Sequence, residues 1–182
     1  MFPLVVDLTN RRVVVIGAGE VGVGKAAQLV ETGARVTVIS DEALAPIPDG
    51  VETVLLRRYQ HGDLAGAFVV VVATGRAEVN DRIVEEANER NLLVNVVDDP
   101  GRSNFFFTAV HRDGDVVVSV STGGASPALA QWVRNAVART LPRNLATVAR
   151  QLREERSAIH ALGESTEGRA WSARVQELID QG

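Results

Sequence analysis

The chain has 182 residues, room for one dinucleotide-binding domain with a modest extension and too few for two full domains. Its 46% hydrophobic and 23% charged content lets it bury a core, and a formal charge of −4 leaves no footprint for nucleic acid or an anionic membrane surface. The absence of cysteine excludes disulfides, thiolate zinc sites, cysteine-ligated clusters and cysteine nucleophiles.

Residues 1–10 lack both a basic stretch and a long apolar run, so they do not read as a signal peptide. The longest aliphatic run, 68–73, is far short of a membrane span, and a cytoplasmic protein is expected. Residues 12–16 are unbroken aliphatic text, as in a strand covered on both faces. A helix is predicted over 20–32, stopped by Gly33, then a second buried strand over 35–39. Pro46, Pro48 and Gly50 mark a loop before a third, edge-like strand at 51–57. Residues 68–73 read as a central strand. Residues 77–90 form an amphipathic helix with Val79, Ile83, Val84 and Ala87 on one face, and 92–97 the fifth strand. Strands interleaved with helices at this spacing imply an α/β, Rossmann-type parallel sheet.

After Pro100 the pattern changes. Strands at 105–111 and 116–121 flank Asp113-Gly114, a hairpin signal. Ser126 is placed to cap a helix that Pro127 begins and Pro142 ends, with an apolar stripe of Leu129, Trp132, Val133, Ala136 and Val137. Two more helices are predicted at 145–161 and 170–180. A hairpin and one apolar-faced helix make a poor core alone, so a second subunit is expected to cover them.

Gly17-Ala18-Gly19-Glu20-Val21-Gly22 matches G-x-G-x-x-G between a buried strand and a helix, the context a dinucleotide fingerprint needs. Gly17 serves the tight turn, Gly19 the approach of the pyrophosphate, and Gly22 the packing of helix on sheet. An acid about twenty residues further on would hold the ribose hydroxyls and favour NAD over NADP. Asp41 stands there with Ser40 before it and Glu42 after it, and no neighbouring lysine or arginine is in place for a 2′-phosphate. Which of the three makes the contact stays open, as does the reading of Asp41 as a solvated loop acid. Tyr59 is the only tyrosine and Asp63 stands four residues on, so the Tyr-x-x-x-Lys pair of short-chain dehydrogenases is absent. His61, His111 and His160 are scattered without ligand spacing, and no metal site is expected.

Several stretches occur in a telling order: Gly17 to Val21 with Lys25, Val72-Ala73-Thr74 with Glu78-Val79-Asn80, residues 94–100 ending in Asp98-Asp99-Pro100, and residues 118–127. Together they resemble the precorrin-2 dehydrogenase/sirohydrochlorin ferrochelatase family, which includes the N-terminal half of sirohaem synthase, over essentially the whole chain. The resemblance implies a Rossmann domain at 1–107, a dimerisation segment at 108–141 and a small helical domain at 142–182. It implies a homodimer and NAD-dependent oxidation of precorrin-2 to sirohydrochlorin. Iron insertion into that product is left open. No methyltransferase half follows position 182, so the chain is not expected to make its own precorrin-2.

The resemblance carries the family's catalytic acid/base to Asp98. The residues point the same way, since Asp98 follows the fifth strand at the carboxyl edge, where open α/β sheets bind ligands, and a carboxylate there can accept a proton. The alternative is a turn or cap before Pro100, a role that suits Asp99 better. Thr74 borders the cofactor site, followed by Gly75-Arg76 where many family members carry an acidic pair. Ser121, Thr122, Gly123 and Gly124 lead into a helix and are read either as an anion site for a substrate carboxylate or as simple capping. Ser103 and Asn104 are candidates to line the cleft. Arg102 and Arg134 are candidates to pair with substrate carboxylates, solvated arginines being the commoner case. The rival reading is a non-catalytic NAD-sensing domain, which leaves Asp98 and the helical tail without a role.

Overall fold

A computed structural model of the chain describes residues 1–181 and divides into two compact units, Met1–Phe106 and a second beginning at Phe107. In the first unit, β1 (Arg12–Ala18), β2 (Arg35–Ala43), β3 (Thr53–Leu56), β4 (Val69–Val72) and β5 (Leu93–Val96) form an all-parallel sheet in the order β3-β2-β1-β4-β5. The order reverses beside β1, which makes its carboxyl end the switch point of a Rossmann-type sheet. The aliphatic runs explain the burial. Val13, Val14 and Val15 of β1 and Val70, Val71 and Val72 of β4 are fully buried, because helices cover both faces. β1 is the middle strand, and β4 lies between it and β5.

Helix α1 (Glu20–Val30) packs on β1 and β2 and buries Ala26 and Leu29. Gly33, at φ +76, turns the chain after α1, its amide donating to the Val30 carbonyl. Helix α2 (Ala77–Glu89) places Ile83 and Ala87 in one cluster with Val14, Ile16, Val70 and Val72. The two helices are the helical crossovers, while the β2–β3 and β3–β4 connections are turns and loops. The second connection is held by buried Glu86 of α2. Its carboxylate accepts from the Gly62 amide at 2.8 Å, from Arg90 Nε at 2.8 Å and from the Tyr59 hydroxyl.

Two boundaries differ by four residues from the sequence reading, each for a reason outside the local sequence. β2 runs on to Ala43, because Ala43 pairs with Ala18 across a register shift and the Ala18 carbonyl accepts from the Leu44 and Ala45 amides. Ser40, Asp41 and Glu42 therefore lie within a strand and not in a loop. The hairpin's first strand begins at 109 instead of 105, since residues 103–105 are drawn to β5.

In the second unit, β6 (Ala109–Asp113) and β7 (Val116–Val120) pair antiparallel, with Asp113 opposite Val116 and Gly114 at φ +57 in the two-residue turn. Helix α3 (Pro127–Thr140) packs on this hairpin, capped by Ser126 Oγ, which accepts the Leu129 amide. Asp113 Oδ2 accepts the Ala146 amide in the first turn of α4 (Leu145–Ala161). Helix α5 (Trp171–Asp180) is tied to α4 by the Arg174–Glu155 pair. The expected stripe on α3 is covered only in part: Val133, Ala136 and Val137 are half-buried, whereas Leu129 and Trp132 are 49% and 65% exposed. Among the described residues no helix is long and apolar enough to cross a membrane.

Candidate active site

The three fingerprint glycines serve different needs. Gly17 has φ +106, and a Cβ on it would strike the Ala73 carbonyl oxygen where β1 and β4 end side by side. A Cβ on Gly22 would strike the Gly17 carbonyl oxygen, so α1 can start this close to the strand only with glycine there. Gly19 has an ordinary extended conformation, φ −79 and ψ 175, and a Cβ on it would meet nothing within 4 Å. Nothing within the protein requires glycine at that position. It is the N-cap of α1 and offers no side-chain cap, so the first amides of the helix face an open cradle. That cradle fits a dinucleotide pyrophosphate, which those amides and the helix dipole would hold.

At the end of β2, Ser40 Oγ donates to the Glu42 carbonyl at 2.6 Å. Asp41 is not the isolated acid the local sequence suggests. Arg76 donates Nη1–H to Asp41 Oδ2 at 2.8 Å, and Arg58 Nε lies 3.5 Å from the same oxygen. The hydrogen bond from Arg76 holds the Asp41 carboxyl below its usual range, with Arg58 adding to it. Two basic residues from stretches distant in sequence therefore stand beside Asp41, where the local sequence shows none.

Thr74, just past β4, donates Oγ1–H to Asn80 Oδ1 at 2.5 Å and receives the Arg76 amide at 3.3 Å. Asn80, nearly buried on α2, donates back to the Thr74 carbonyl. This pair fixes the turn that carries Arg76. The sequence motif contained Asn80, but only the fold shows what it does.

Asp98 sits in the turn after β5, at the same carboxyl edge as the glycine loop and two strands from β1. Its φ of +59 is left-handed, a conformation that Asp and Asn tolerate better than other side chains. The side chain is exposed, with no hydrogen bond or ion pair among the described residues. Asp99 takes the capping role: its carboxylate accepts the Arg102 amide at 3.2 Å at the start of a 3-10 turn, Pro100–Arg102. Ser103 Oγ accepts the Val96 amide at 2.9 Å and donates to the Asp99 carbonyl. Asn104 accepts the Val94 amide and donates to the Leu92 carbonyl, both at 2.8 Å. Their side chains close the free edge of β5 and hold the Asp98 turn. Arg102 is occupied by Asp81 at 2.8 Å and Asp99 at 3.4 Å.

In the second unit, residues 121–126 form a turn tied to itself. Ser121 Oγ accepts the Gly123 amide, and Thr122 Oγ1 bonds to both the amide and carbonyl of Ser126. Gly123 and Gly124 are left-handed at φ +67 and +87, and the space a Cβ would take on Gly124 is open. Arg134 of α3 donates Nη1–H to the Val110 carbonyl at 3.2 Å.

The chain resembles known proteins along its whole length. A family model described as putative NAD(P)-binding matches residues 4–109, and one described as sirohaem biosynthesis protein central matches 113–140. Siroheme synthase 2 of Aeromonas salmonicida is 39% identical over 145 residues, 79% of this chain and 30% of its own length. The siroheme synthase of Tolumonas auensis is 34% identical over 171 residues, 92% of this chain and 36% of its own. This chain thus spans about a third of the curated relatives it matches. A solved structure described as SirC, precorrin-2 dehydrogenase, superposes with a TM-score of 0.72, covering 100% of this chain and 88% of that one at 24% identity, which establishes the shared fold. With its fingerprint at the switch point and most of its length matched, the chain belongs to the NAD(P)-binding family whose model spans residues 4–109.

Proposed function

We propose that this protein oxidises precorrin-2 to sirohydrochlorin with NAD⁺, with Asp98 as the acid/base. The observation that carries the reading is Asp98 itself: an uncommitted carboxylate in a left-handed turn, at the same sheet edge as a dinucleotide cradle. The family match, the siroheme synthase relatives and the fold of a precorrin-2 dehydrogenase support the substrate.

Oxidation removes a hydride and a proton from the macrocycle. Gly17–Val21 would hold NAD⁺, with Asp41 as the acid for its ribose, and the bound cofactor would supply the hydride acceptor. Asp98 accepts the proton, its carboxylate being exposed and free to turn toward the substrate. Ser103 and Asn104 hold the turn that presents it. The Gly124 amide, at a left-handed glycine with open space beside it, offers a landing point for a carboxylate of this polyacidic substrate. A homodimer belongs to the same reading, because Leu129 and Trp132 stand exposed on α3.

The test is an anaerobic assay with precorrin-2 and NAD⁺, following NADH and the sirohydrochlorin spectrum. Turnover supports the proposal. Tight NAD⁺ binding without turnover would replace it with the sensing module.

A further inference from the structure

A carboxylate at the end of β2 normally holds the ribose hydroxyls and repels a 2′-phosphate. Here Asp41 shares its place with two guanidiniums, Arg76 on Oδ2 at 2.8 Å and Arg58 at 3.5 Å. Their side chains are 53% and 80% exposed, against 34% for Asp41. Among the described residues neither guanidinium has a second partner. Each fork carries five N–H donors, so most remain available to a ligand. Charge is balanced at this end of the strand, Asp41 and Glu42 against Arg58 and Arg76.

We propose that Arg76 and Arg58 form a 2′-phosphate subsite beside Asp41, so that this chain takes NADP⁺ as well as NAD⁺. The inference rests on the dinucleotide reading above. An exposed ion pair such as Arg76–Asp41 is weak and readily exchanged. A 2′-phosphate offers the same guanidinium more charge and a matching bidentate face. Arg76 is well placed to make that exchange, because the Thr74–Asn80 pair fixes the turn it stands on.

Calorimetric titration of the full chain with NAD⁺, NADP⁺, ADP-ribose and 2′-phospho-ADP-ribose tests this without turnover. Wild type is expected to bind NADP⁺ within about a hundredfold of NAD⁺, a gap of two tenfold steps. Arg76→Ala should weaken NADP⁺ at least about fivefold more than NAD⁺ (the same measure of selectivity). Asp41→Asn should shift the preference toward NADP⁺, and added salt should weaken the phosphorylated ligands more than their partners. A wild-type gap wider than that hundredfold, or equal losses of both dinucleotides in Arg76→Ala, overturns the subsite while the NAD⁺ reading stands. Failure to bind either dinucleotide overturns both.

Discussion

Gly19 and Gly22, three chain positions apart, make opposite predictions, because one is required by the protein and the other by the ligand. Gly22→Ala drives a Cβ into the Gly17 carbonyl, where neither backbone can yield without moving α1. It should cost about 1–3 kcal/mol of stability or more, as overpacking does. Gly19→Ala meets open space in a conformation alanine adopts freely. Its stability should stay within about 0.5 kcal/mol of wild type, while NAD⁺ affinity falls about tenfold or more, roughly 1.4 kcal/mol. Denaturant melts and NAD⁺ titrations of both variants check this; equal unfolding by the two would refute the division of labour. Asp98 needs similar care in the choice of variant. Asn tolerates its left-handed φ of +59, whereas Ala adds about 1–2 kcal/mol of backbone strain. Asp98→Asn should therefore keep fold and NAD⁺ binding and lower kcat by about 10²- to 10⁴-fold, the usual worth of a positioned base. Single-turnover rates with precorrin-2 measure it, and a kcat near wild type would remove Asp98 from the chemistry.

At the scale of elements, Glu86 is the hinge pin between α2 and the β3–β4 connection. Burial opposes its charge, yet the Tyr59 hydroxyl, the Gly62 amide and Arg90 together hold its carboxyl below the ordinary value. The Tyr59 hydroxyl is pushed up by burial and by that carboxylate. Glu86→Gln should cost about 3 kcal/mol, the scale for breaking a buried, charge-assisted network from one side. The folded value lies below the unfolded one near 4.3, so the carboxylate's contribution is complete above that pH and disappears as pH falls through the lower folded value. The stability gap between wild type and Glu86→Gln should thus be widest near neutrality and shrink in acid; a gap constant with pH would show that charge is not the cause. The sequence made α2 legible through its apolar period, but not Glu86, whose partners Tyr59 and Gly62 lie 27 and 24 residues away. The glycine turn was legible because the positive φ of Gly17 and its close approach to Gly22 are local, even though Ala73, just past the neighbouring strand, adds to the demand. Arg76 on Asp41 and the extension of β2 to Ala43 were not, since they depend on segments that meet only in the folded sheet, and the engagement of Ser103 and Asn104 with β5 was not, since it needs the chain to fold back along that strand.

For the whole molecule, the two units differ in how much they bury. The first has a filled sheet, while among the described residues the buried hydrophobics beyond Phe106 are Ala130, Val148 and Leu178. A hairpin and three helices with so small a core lack the burial that holds small domains folded. Leu129 and Trp132, exposed one helical turn apart on α3, are the surface a second copy would cover in the proposed homodimer. If association completes this unit, stability is linked to assembly, and the melting temperature should rise with protein concentration by mass action. Trp132→Glu places an ionised carboxylate where burial is expected, so it should shift sedimentation from dimer to monomer and abolish the concentration dependence. Trp132 belongs to the second unit and the glycine loop to the first, so NAD⁺ affinity in the variant should stay within about threefold of wild type, less than the 1.4 kcal/mol of a tenfold change. A wild-type chain that sediments as a monomer, melting at one temperature at every concentration, would mean that α3 carries its exposed tryptophan for some other ligand.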